Sequence, residues 1–119
     1  MYTISKEFSF SGAHHLAGLP DEHPCSRPHG HNYTVQLWLE REKLDDTGFV
    51  LDYGAMAPFG DFLDDKLDHR DLNEVVGFNP TAENLAAYLF TMASAYYPGL
   101  VLAVGVQETP KTIAIYRRE

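Results

Sequence analysis

Residues 2–10 alternate between apolar and polar positions. Tyr2, Ile4, Phe8 and Phe10 fall on one side, with Lys6 interrupting the row, which predicts a half-buried strand. Residues 11–30 break the pattern with Gly12, Gly18, Pro20, Pro24, Pro28 and Gly30, so a long irregular loop is expected, of the kind that usually carries function. Alternation resumes over 31–40, where Tyr33, Val35, Leu37 and Leu39 share a side. Asp45-Asp46-Thr47-Gly48 reads as a turn, and Phe49-Val50-Leu51 as the start of a paired return strand.

The period then changes. Asp52 is a candidate N-cap for a helix over about residues 53–67, with Met56, Phe59, Phe62 or Leu63, and Leu67 as its apolar stripe and Pro58 in the tolerant first turn. Asn79-Pro80-Thr81 opens a second helix with Thr81 as cap. Its stripe is Leu85, Tyr88, Leu89, Met92 and Tyr96, and Pro98-Gly99 ends it. Residues 100–108 and 112–117 read as two strands joined by Thr109-Pro110-Lys111. The order β–loop–β–β–α–α–β–β, with short turns between strands, predicts an α+β fold whose sheet is antiparallel and whose helices lie on one face.

The 119 residues suit a single domain over 1–119. With 45% hydrophobic and 22% charged residues, the composition is that of a soluble globular chain. No apolar run reaches the ~20 residues that span a bilayer, and the first residues lack the apolar core of a signal peptide, so no membrane association and a cytoplasmic location are expected. The net charge of −8 argues against nucleic acid as a partner, because phosphate neutralisation needs a basic face. The one cysteine, Cys25, cannot form an intrachain disulfide.

Six histidines are present, and five lie within residues 14–31. His29-Gly30-His31 leads into a strand, where alternate residues point the same way. His14 follows the first strand, and the two strands would pair. Three neutral imidazoles with an open fourth position are the ligand set of a catalytic zinc. His15 is an alternative to His14 that adjacency does not decide, and His23 reads as a solvated loop residue. Cys25 sits in a Pro-, Arg- and His-rich loop, a setting that favours partial exposure and thiolate formation. It could serve as ligand, nucleophile or proton-transfer group. Asp68-His69 has the makings of a base and its orienter. Read from the residues alone, it is a solvated turn after a helix. Glu108 is either a carboxylate anchor for a guanidine-like ring edge or an exposed strand end.

Together these pieces resemble the 6-pyruvoyltetrahydropterin synthase / 6-carboxytetrahydropterin synthase family. The matching stretches are FSFSGAHHL (8–16), HPCSRPHGHNY (23–33), TGFVLDY (47–53), LDHRDLN (67–73), NPTAEN (79–84) and QETPKTIAIYRRE (107–119). The resemblance implies the tunnelling fold, in which a four-stranded antiparallel sheet carries two helices on one face and subunits join sheets into barrels. A homohexamer with active sites at subunit interfaces is typical. It implies a Zn2+ cofactor on His14, His29 and His31, a catalytic Cys25 with Asp68 and His69 as acid–base partners, and pterin contacts from Glu108 and Thr81. It thereby replaces the solvated-turn reading of Asp68-His69.

The implied substrate is a pterin triphosphate, 7,8-dihydroneopterin triphosphate. The implied products are 6-carboxy-5,6,7,8-tetrahydropterin, acetaldehyde and triphosphate, on the route to queuosine and other deazapurines. A second branch of the family keeps the side chain and forms 6-pyruvoyltetrahydropterin. A folate-linked relative carries Glu in place of the cysteine, which Cys25 argues against. Two other readings compete: a non-catalytic pterin- or zinc-binding protein on the same fold, and an unrelated zinc hydrolase. The chain departs from the family pattern at Pro28, where a larger aliphatic residue is common, and at His15, where Arg is often found. Arg27 is a weak candidate for the triphosphate.

Overall fold

A computed structural model describes residues Met1–Glu119. The elements in chain order are β1 (Tyr2–His14), β2 (His29–Arg41), α1 (Ala57–Lys66), β3 (Arg70–Asp71), α2 (Leu72–Val75), α3 (Ala82–Tyr96), β4 (Val101–Gln107) and β5 (Ala114–Arg117). One five-stranded sheet has the order β3-β1-β2-β4-β5. The pairs β1–β2, β2–β4 and β4–β5 are antiparallel, and β3 joins β1 in parallel through Gly12 and Ala13. The expected α+β class holds. The expectation of four antiparallel strands and two helices misses the short β3 and the one-turn α2.

The alternation read from the sequence sets the inner face. Opposed residues in an antiparallel pair share a face, and the register sets Ile4 against Leu39, Phe8 against Val35 and Phe10 against Tyr33. Val104 and Val106 of β4 continue the same rows beside Leu37 and Val35. Leu85, Ala86, Leu89 and Ala93 of α3, with Phe59 and Leu63 of α1, are buried against this face. Phe8 meets Phe59 edge to face at 5.3 Å between ring centres. Burying each such Leu or Phe contributes roughly 1.5–3 kcal/mol.

Asp52 caps a short 3-10 turn, Tyr53–Met56, that leads into α1 by accepting from the Gly54 amide at 2.8 Å. Thr81 caps α3 by accepting from the Asn84 amide at 3.1 Å. The return strand expected at Phe49-Val50-Leu51 does not form. Both edges of β2 are already taken, by β1 and β4, and Asp45 Oδ1 instead gathers the amides of Thr47, Gly48 and Phe49 into a closed turn.

Candidate metal centre

Strand β1 runs past the apolar alternation as far as His14, and β2 begins at His29. The last pair of the ladder is His14 opposite His29, and Gly12 stands opposite His31. All three imidazoles therefore continue the inner-face rows of Phe10 and Tyr33 beyond the core, and side-chain alternation alone directs them to one point. Ring centres lie 4.5 Å apart for His14–His29, 5.0 Å for His14–His31 and 4.9 Å for His29–His31. One donor atom from each lies within 4.8 Å of the others. The neighbouring His15 is not among the donors that converge; its backbone is held on both sides by the Asn73 amide.

The tautomers are fixed by carbonyls, which can only accept. His14 Nδ1 donates to Pro80 O at 2.8 Å, and His29 Nδ1 donates to Arg27 O at 2.7 Å. Neutral rings held in this way present bare Nε2 lone pairs, as metal-bound histidines require. His14 is only 1% exposed, and Nε2 of His14 and Nε2 of His31 are buried with no hydrogen-bond partner. Buried polar atoms are rarely left so. A cation between these nitrogens satisfies them, so the donor set fits a tetrahedral metal with N ligands. Burial, the largest cause, holds the pKa of both His14 and His31 below the ordinary 6.5.

Glu108 follows the end of β4 on the same face. Its Oε2 lies 3.2 Å from His14 Nε2 and 3.4 Å from His31 Nε2. Tyr33, fully buried, packs edge-on to the rings of His14 and His31. Burial first, and then the Glu108 carboxylate, raise its pKa well above the ordinary 10.0.

Asp68 and His69 reach the same end of the sheet from the turn before β3. Asp68 Oδ1 accepts from the Ser11 amide at 2.9 Å, the His69 amide donates to Ser11 O at 2.6 Å, and Asp68 Oδ2 lies 2.8 Å from His69 Nδ1. The Ser11 amide, ahead of His69, holds the Asp68 carboxyl below its usual range. His69 is the one non-glycine residue with a left-handed backbone, φ 58°. With His31, Asn32, Arg70 and Asp71 it lines an open polar cavity of about 480 Å³.

Cys25 lies in a 3-10 turn, Pro24–Ser26, and its thiol is not one of the donors that converge within 4.8 Å. Its carbonyl accepts from the Leu16 amide at 2.8 Å, which ties its loop to the chain leaving His14. His23, expected to be a solvated loop residue, accepts from the Cys25 amide at 3.1 Å. Two asparagines missed as site residues hold the facing loop: Asn73 bonds both backbone groups of His15, and Asn79 both of Ala17. Tyr33 was also missed, because its place in the apolar row made it a core residue. Thr81 acts here as the cap of α3, directly after the Pro80 carbonyl that fixes His14.

The 6-pyruvoyl tetrahydropterin synthase family model matches residues 3–119. The chain belongs to this family. The 6-carboxy-5,6,7,8-tetrahydropterin synthase of a Synechocystis species is 36% identical, covering 98% of this chain and 93% of that protein. The enzyme of the same name from Bacillus subtilis is 31% identical, covering 98% and 85%. The solved structure of Caenorhabditis elegans 6-pyruvoyl tetrahydropterin synthase superposes with a TM-score of 0.86 at 32% identity, covering 99% of this chain and 96% of that one. The fold is thus the tunnelling fold of the pterin synthases, and the chain is an enzyme of that family. No helix is long and apolar enough to cross a membrane.

Proposed function

We propose that this protein is a zinc-dependent carbon–oxygen lyase that converts 7,8-dihydroneopterin triphosphate and water to 6-carboxy-5,6,7,8-tetrahydropterin, acetaldehyde and triphosphate, in the cytoplasm and on the route to queuosine. The observation that carries the metal part is the pair of buried, partnerless Nε2 atoms on His14 and His31. The bacterial relatives named for the carboxy product favour that branch.

His14, His29 and His31 hold the zinc. Bound there, it supplies Lewis acidity that lowers the pKa of substrate hydroxyls and stabilises developing negative charge. Cys25, as thiolate, takes a proton from the side chain of the pterin. His69, oriented by Asp68, is the complementary acid. The electron pair released by proton removal expels triphosphate from the neighbouring carbon. Glu108 and Thr81 line the pterin site, and a homohexamer completes each site at a subunit interface.

The experiment is to mix zinc-loaded protein with 7,8-dihydroneopterin triphosphate and read products by mass spectrometry. Carboxytetrahydropterin with acetaldehyde is the expected result. Pyruvoyltetrahydropterin would move the protein to the second branch, which the similarity to the nematode synthase favours. Neither product, from protein carrying stoichiometric zinc, would overturn the lyase reading and leave a binding protein. Replacing Cys25 with Ala should keep zinc bound and lower turnover by roughly 10²–10⁴-fold, and an unchanged rate would remove Cys25 from the mechanism.

A further inference from the structure

The position of Glu108 is unusual for a residue reserved for substrate. Its carboxylate oxygen faces two imidazole nitrogens at 3.2 and 3.4 Å, yet those nitrogens have no hydrogen-bond partner. Nδ1 of His14 is spent on a backbone carbonyl, so a neutral ring turns a lone pair toward the carboxylate. Lone pair against carboxylate is repulsive unless a cation lies between them. In a tetrahedral site with metal–ligand bonds of 2.0–2.2 Å, the ligand atoms themselves stand about 3.3 Å apart. Both separations match that edge.

We propose that Glu108 is the fourth ligand of the metal in the substrate-free protein, so that a hydroxyl-bearing substrate must displace it. The inference rests on the three-histidine metal site proposed above. Charge favours it: three neutral imidazoles leave the full charge of a divalent ion in a buried setting, and a carboxylate offsets half. Mobility favours it too. Glu108 follows the last residue of β4, Gln107, outside the ladder, and its side chain is 28% exposed. It borders an open cavity with His31, Asn32 and Thr34, so it has room to leave. The carboxylate touches two of the three rings, and rotation of its side chain on metal entry brings the four donors together.

The test compares the unmutated protein with Glu108→Gln, both without substrate. Zinc affinity is measured by competition with a chromophoric chelator, and the visible spectrum is recorded after cobalt substitution. The expected result is at least about a tenfold weakening of zinc and a change in the cobalt bands. Equal affinity and identical spectra in the two proteins would overturn the role of Glu108 while leaving the histidine site intact. Failure of the unmutated protein to take up either metal would overturn both readings. A crystal structure of the unmutated, zinc-loaded, substrate-free protein decides the matter should the variant misfold. A Glu108 oxygen within about 2.2 Å of zinc is expected, and water or the Cys25 thiol in that position would refute the proposal.

Discussion

His69 holds a left-handed backbone that a non-glycine residue adopts at a cost of roughly 1–2 kcal/mol. The cost is sustained because both neighbouring groups are engaged: its amide donates to Ser11 and the carboxylate of Asp68 holds its ring. Replacing His69 with Gly should therefore give a protein more stable than His69→Ala by about 1 kcal/mol, with turnover lost in both. Urea denaturation of the pair checks this, and equal midpoints would mean the backbone is not strained. A second residue-scale expectation concerns pH. Burial lowers the pKa of His14 and His31 in the folded chain, while unfolded imidazoles titrate near 6.5. Below 6.5 the unfolded chain binds protons that the folded one does not, so metal-free protein is fully stabilised by these rings above 6.5 and loses that stability as pH falls. Denaturation of chelator-treated protein at a series of pH values should show the decline, and a flat profile through that range would contradict it. At this scale the three converging histidines were nearly legible in the chain, because period-two alternation pairs His29 with His31. It could not separate His14 from His15, since that depends on β1 continuing to His14, beyond the last apolar side chain that marks its phase.

The segment Asn79-Pro80-Thr81 serves three purposes in three successive residues. Asn79 clamps the backbone of Ala17, Pro80 fixes the tautomer of His14, and Thr81 caps α3. The capping pattern marks the helix start and carries no information about what the preceding carbonyl accepts. Thr81→Ala should cost about 1 kcal/mol of stability and also weaken zinc, because the carbonyl before it loses its fixed position. Thr81→Ser should restore both, as read by denaturation and by metal competition. Loss of stability with zinc affinity unchanged would uncouple the cap from the site. The long strands and two main helices were readable from their periods. The two-residue β3 and one-turn α2 were not, because neither is long enough to repeat the pattern that would announce it. The failed strand at Phe49–Leu51 has a different cause: local sequence favours extension there, but no neighbouring edge of β2 remains to receive it.

The whole molecule measures 56 × 27 × 25 Å, with a radius of gyration of 15.3 Å. A compact chain of this length would have about 13.5 Å, so the molecule is elongated, in keeping with the 13-residue strands of the β1–β2 hairpin. At the β5 edge of the sheet, Ile113 just before the strand and Ile115 within it are exposed at 47% and 43%, and edges of this kind usually find a partner strand. Particle mass by light scattering should exceed that of one chain. Ile115→Lys should lower it while the far-ultraviolet dichroism stays unchanged, and a monomeric parent protein would rule out assembly through this edge.

The hairpin has a further consequence. Its register runs without interruption from Tyr2 opposite Arg41 to His14 opposite His29. A slip of one residue would turn one strand's set to the wrong side, either Phe10 and His14 or Tyr33, His29 and His31, and so part the three donors. Metal capture and core formation thus share a single decision made during folding, and no mispaired chain can present the donor set. If the proposed zinc binds there, its content per chain in a preparation would count correctly threaded molecules, a built-in mark of fidelity that can be read without any substrate.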